Sequence, residues 1–141
     1  MKLKVSTLLT LCAFLISCGG SSAYEVGVFN NTQHIPVKIK IQYPSPDGLK
    51  RIFFSMINTG EFESNQFDTD ANPIPREAKI SWENSEGEQK NDVLDLSFVP
   101  EEQDDGAIIF DIDEDNATVR YLTKDEFAGE WEKRLIRKGY K

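Results

Sequence analysis

The chain has 141 residues, with 16 Lys and Arg against 24 Asp and Glu, and a formal net charge of −8. That balance excludes a typical nucleic-acid-binding domain, which is basic, while 39% hydrophobic and 28% charged residues exclude a disordered chain and suit one domain with a modest core. Two Cys and one His exclude zinc sites built on Cys/His clusters and disulfide-stapled scaffolds.

In chain order, Lys2 and Lys4 come first, followed by an apolar stretch from Leu8 to Ile16 broken only by Thr10. It is far shorter than the ~20 apolar residues that span a bilayer. A basic start, a short apolar stretch and a small residue at its end read as an export signal. Leu15-Ile16-Ser17-Cys18 supplies an aliphatic residue, a tolerant position, a small residue and a Cys. This tetrad resembles the lipobox of bacterial lipoproteins. The resemblance covers about the first eighteen residues and implies cleavage between Ser17 and Cys18, with a diacylglyceryl thioether on the Cys18 sulfur. Thiolate chemistry requires Cys there. Two or three acyl chains, at ~0.8 kcal/mol per buried CH₂, anchor stably where one does not. Cys12 would be discarded with the signal. Gly at position 19, where an Asp commonly marks inner-membrane retention, makes the resemblance favour an outer-membrane lipoprotein facing the periplasm.

Removal of residues 1–17 leaves 124 residues with 14 basic and 24 acidic groups, a net charge of −10, and Cys18 as the single Cys. Gly19 to Ala23 reads as a flexible tether. At 5–6 Å × √n, five residues hold the domain within roughly 12–15 Å of the lipid surface.

From residue 24 onward the apolar pattern has period two, the mark of half-buried strands. Val26 and Val28 open a strand near 24–30. Val37, Ile39, Ile41 and Tyr43 alternate with Lys38, Lys40 and Gln42. Ile52, Phe54 and Met56 predict a strand near 49–57, with Phe53 out of phase and therefore exposed. A short edge strand is expected near Ser64–Asp68. Ala78, Ile80 and Trp82 alternate with Lys79, Ser81 and Glu83, which places Trp82 in the core. Leu94, Leu96 and Phe98 predict a strand, as do Ile108, Phe110 and Ile112, and then Val119 and Tyr121. Turn signals separate these runs, among them Asn30-Asn31, Ser45-Pro46-Asp47-Gly48, Asn58-Thr59-Gly60, Glu86-Gly87 and Asp115-Asn116. The pattern predicts an all-β fold, an antiparallel β-sandwich of immunoglobulin-like size. Asn30-Asn31-Thr32 and Asn116-Ala117-Thr118 match glycosylation sequons and are read as turns.

At the C-terminus the period changes. Thr123-Lys124-Asp125-Glu126 matches a capping box, and Phe127, Trp131 and Leu135 share one helical face. A helix is expected at 124–138, ended by Gly139, with the aromatic face docked on the sandwich or, in the other reading, on a partner or membrane. The expected organisation is 1–17 signal peptide, 18–23 lipidated Cys and tether, 24–122 sandwich, and 123–141 helix and basic tail.

Candidate chemistry is sparse. Asp111, Asp113 and Asp115 stand at positions 1, 3 and 5 of a calcium-loop pattern, but Asn116 and Leu122 replace the Gly and Glu the pattern needs at positions 6 and 12. The segment reads as a turn, with a weak cation site as the alternative. Asp68-Thr69-Asp70-Ala71-Asn72 is a similar fragment. From Asp92 to Asp115 there are ten acidic residues and no basic one; from Lys133 to Lys141, five basic and no acidic. This asymmetry reads as a solvated face with a complementary helix end, as steering of a cationic partner, or as contact between the basic tail and anionic lipid. His34 has no nucleophile motif beside it, and neither a nucleophile elbow nor a phosphate-cradling loop is present. No catalysis, metal or cofactor is expected. The expectation is a lipid-anchored envelope lipoprotein whose sandwich binds another protein, with a small-ligand or calcium-binding lipoprotein as the alternative.

Overall fold

A computed structural model of the chain describes residues 23–33, 39–45, 47–54, 57–68, 72–101 and 105–137, without the side chains of 134–137. The alternating runs become eight strands: β1 (Ala23–Asn30), β2 (Ile39–Ser45), β3 (Gly48–Phe54), β4 (Phe62–Asp68), β5 (Glu77–Glu83), β6 (Gln89–Asp95), β7 (Ala107–Ile112) and β8 (Ala117–Leu122). One helix follows, α1 (Lys124–Arg137).

The strands form two four-stranded sheets, ordered β4-β1-β7-β8 and β3-β2-β5-β6, packed as the expected antiparallel sandwich with a C-terminal helix. The chain shuttles between layers, placing the hairpins β2–β3 and β5–β6 in the second sheet and β7–β8 in the first. One pairing departs from the antiparallel rule: β1 runs parallel to β7, with Val26 beside Ile108 and Val28 beside Phe110. Such a pairing needs a long crossover, and here the intervening strands supply it.

Period-two alternation sends Tyr24, Val26, Val28, Ile108, Phe110 and Ile112 inward from the first sheet. Ile39, Ile41, Ile52, Phe54, Ile80 and Trp82 meet them from the second. Burying each such side chain contributes roughly 1.5–3 kcal/mol. Trp82 is fully buried, and its indole N–H donates to the Asp113 carbonyl at 3.1 Å, so the large ring carries no orphaned donor into the core. Tyr24 and Tyr43 satisfy one another across the layers at 3.2 Å.

One expectation needs correction. The strand read around Leu94, Leu96 and Phe98 lies earlier, at Gln89–Asp95. Asp95 stops it by accepting hydrogen bonds from the backbone N–H and hydroxyl of Ser97, both at 2.8 Å, and Leu96 to Val99 then turn, leaving Phe98 52% exposed. The sequon at Asn30, read as a turn, stands where β1 ends. Its amide donates to the Ile57 carbonyl at 2.7 Å while its oxygen accepts from the N–H and hydroxyl of Thr32, so Asn30 is a buried turn residue. Val37 and Met56, read as strand positions, lie outside the described residues.

Helix α1 begins as the capping box predicts. The Thr123 N–H donates to Glu126 Oε2 at 2.9 Å, and the Glu126 N–H returns to Thr123 Oγ1 at 3.4 Å. These bonds hold the Glu126 carboxyl below its usual range, chiefly through the backbone N–H of Thr123.

Candidate functional site

Cys18, Ser17, the tether up to Ser22, His34 and Gly139 lie outside the described residues. Ala23 enters β1 directly.

The structure does not gather the three carboxylates of the calcium-like turn. Alternation along β7 puts Asp111 on the outer face of the first sheet, where Arg120 holds it with two hydrogen bonds, at 2.7 and 3.2 Å. Asp115 pairs with Lys90 at 3.1 Å. The Asp113 backbone closes the β7–β8 turn on Asn116. Among the described residues no group of three or more His, Cys, Asp or Glu side chains is placed to hold a metal ion.

Most carboxylates of the acidic stretch among the described residues are held by the fold. Asp92 accepts the Ala117 N–H at 2.7 Å, across from one sheet to the other. Glu114 accepts the Gln33 N–H at 2.8 Å through one oxygen and the Ser85 N–H and hydroxyl through the other. Glu101 pairs with Arg76, and Asp105 with Lys124 at 2.5 Å. These carboxylates stitch loops to the ends of the sandwich, which is what short acidic side chains do in turns.

Two surfaces remain. The first lies where α1 covers the outer face of the first sheet. Phe62 of β4 packs its ring against Phe127 at 5.8 Å and Trp131 at 5.4 Å, both edge-on, as the shared helical face of the two aromatics anticipated. Gly27, opposite Ser64, leaves the space the Phe62 ring fills. Beneath the helix only about 10 Å³ stays empty, among Phe62, Ile109, Leu122 and Phe127. Beside it opens a groove of about 510 Å³ lined by Tyr24, Gln66, Asp105, Lys124, Phe127 and Trp131, among others. Its wall combines aromatic surface, amide and the Lys124–Asp105 ion pair, and Trp131 stays 42% exposed there. Sequence reading missed this groove because Gln66 and Ser64 reach it only through the β1–β4 pairing.

The second surface is the outer face of the second sheet. Strand register sets Phe53, Lys40, Ser81 and Asn91 in one cross-strand row, and Arg51, Gln42, Lys79 and Val93 in the next. Phe53 is 64% exposed, as its phase predicted, and Val93 and Leu49 are also exposed. Lys40, Arg51 and Lys79 form no ion pair among the described residues, whereas Arg76, Lys90, Arg120 and Lys124 all do.

No family model matches the chain, and no curated protein matches it. Two solved structures are similar to it. An NMR structure of a protein from Eubacterium rectale is 18% identical, with a TM-score of 0.48, covering 74% of this chain and 93% of that one. A crystal structure of transthyretin from Sparus aurata is 13% identical, with a TM-score of 0.40, covering 70% of this chain and 95% of that one. At this distance neither brings a function to this chain.

Proposed function

We propose that the chain is a lipid-anchored cell-envelope lipoprotein, acylated on Cys18 after cleavage behind Ser17, whose β-sandwich is a protein-binding module. The lipobox-like tetrad supports the anchor, and Gly19, in place of the Asp that commonly marks inner-membrane retention, supports a placement at the outer membrane facing the periplasm. The observation that carries the binding role is the open groove beside α1, where Trp131 and Phe127 stand next to amide and ion-pair chemistry. Exposed aromatic anchors beside polar groups are the composition of interface centres. The reading assigns no catalysis and no cofactor.

A photo-crosslinker at Gln66 tests it in intact cells. A discrete protein adduct that disappears with Trp131→Ala is expected, with none from the same crosslinker at Glu86. Adducts indistinguishable between the two positions contradict it.

A groove of about 510 Å³ also falls within the 300–1,000 Å³ of small-molecule sites, which favours a ligand-binding lipoprotein as the second reading. Native mass spectrometry of the chain purified from the envelope separates the two by a retained small mass. The calcium form of that reading is tested by titration calorimetry, in which absent heat at millimolar calcium rejects the Asp111–Asp115 turn as a site.

A further inference from the structure

We infer that the outer face of the second sheet rests on an anionic lipid surface, so that the groove beside α1 is turned away from the bilayer. The inference rests on the proposed acyl anchor.

Three features meet on this face. Lys40, Arg51 and Lys79 come from three adjacent strands and, like Lys50 and Lys133, form no ion pair among the described residues. Between and beside them project Phe53, Leu49 and Val93, all exposed. Basic groups around protruding apolar side chains match the chemistry of an anionic headgroup layer, in which cations meet phosphates and an aromatic ring enters the acyl boundary. The carboxylates of the same face, Glu77, Glu83 and Asp95, stand at the ends of β5 and β6, away from the central rows. In a chain whose mature net charge would be −10, such a face orients the body on anionic lipid, in competition with the basic run from Lys133 to Lys141.

The tether is long enough. Ala23 starts in the first sheet. Stacked sheets lie about 10 Å apart, and with Ala23 already in β1 a tether of the four residues 19–22 would reach roughly 10–12 Å, so acyl chains in the bilayer are compatible with the second sheet lying on it. One acyl signal plus a basic patch is also a stable two-part membrane attachment. With α1 on the opposite outer face, the groove then opens toward the aqueous side.

The test uses the full acylated chain in vesicles of phosphatidylcholine alone and of phosphatidylcholine with 30% phosphatidylglycerol. The proposed lipid occupies the Cys18 sulfur, so Asn91→Cys or Ala128→Cys supplies the single reactive thiol for an environment-sensitive dye. On anionic vesicles the dye at 91 is expected to shift to the blue and to be quenched by a lipid-borne quencher. The dye at 128 is expected to stay aqueous on both vesicle types. Adding Lys40→Glu, Arg51→Glu and Lys79→Glu, with circular dichroism unchanged, should return the dye at 91 to its aqueous emission while the chain still floats with the vesicles. An unshifted dye at 91 on a chain that floats overturns the inference and leaves the anchor standing. A shift in native envelope but not in protein-free vesicles also overturns it and gives the face to a protein partner. A chain that carries no acyl group and does not float overturns the anchor, and this orientation with it.

Discussion

The ring of Phe62 lies where the side chain of any residue larger than glycine at position 27 would go: a Cβ on Gly27 would overlap Phe62 Cε2 and Cζ and approach Ile109 Cδ1 to 3.1 Å. Phe62 in turn carries Phe127 and Trp131, so this one backbone position sets how closely α1 docks. Gly27→Ala is expected to cost about 1–3 kcal/mol, the usual penalty of overpacking. Denaturant unfolding measures it. The double variant with Phe62→Leu should lose less than the sum of the two single losses, because the smaller side chain vacates the overlap.

The calcium-like turn is expected to behave as a structural clamp. Glu114 ties Gln33 and Ser85, which lie far apart in sequence, to the β7–β8 turn. Charge-assisted bonds to backbone N–H groups are worth about 1.5–3 kcal/mol when sheltered. For this partly exposed group we expect Glu114→Ala to cost about 1–2 kcal/mol. Asp113→Ala, whose side chain makes none of these bonds, should stay within about 0.5 kcal/mol. Equal losses from the two variants would contradict the clamp.

Stability should fall at both pH extremes for separate reasons. Glu126 is held below its ordinary value of 4.5 by the N–H and hydroxyl of Thr123. Its folded state therefore releases the proton more readily, so its contribution is present above pH 4.5 and lost as pH falls. Acid should fray α1 first, and Glu126→Gln should flatten that limb in far-ultraviolet circular dichroism. At the alkaline end, burial and then the hydrogen bond that its hydroxyl donates to Tyr43 push the Tyr24 phenol well above its ordinary 10.0, and burial also raises Tyr43. A raised phenol stabilises the fold below pH 10 and loses that contribution as pH rises further. Replacing Tyr24 and Tyr43 together by Phe should flatten the alkaline limb while leaving the acid one.

Period-two alternation made most strands legible. Ile39, Ile41 and Tyr43, Ala78, Ile80 and Trp82, and Ile108, Phe110 and Ile112 all point inward with the phase their spacing predicts, and the Thr123–Glu126 box starts α1. What alternation omits is which strand lies beside which. The parallel β1–β7 pairing, the proximity of Gln66 to Trp131, and the adjacency of Lys40, Arg51 and Lys79 all come from contacts between residues distant in sequence. Phe98 was misread because an alternating run cannot show that Asp95 has already closed the strand on Ser97. The acidic run reads as a solvated face or as a surface for a cationic partner because a carboxylate bound to a backbone N–H and one facing water are the same letter.

The proposed anchor, and the orientation on the bilayer with it, rest on acyl chains borne by the sulfur at position 18. Mass spectrometry of the N-terminal peptide of the mature protein reads this directly. The account predicts a peptide that begins at Cys18, carries a diacylglyceryl mass, and loses both cleavage and lipid in Cys18→Ser. An unmodified Cys18, in a chain recovered from the aqueous fraction, would contradict it.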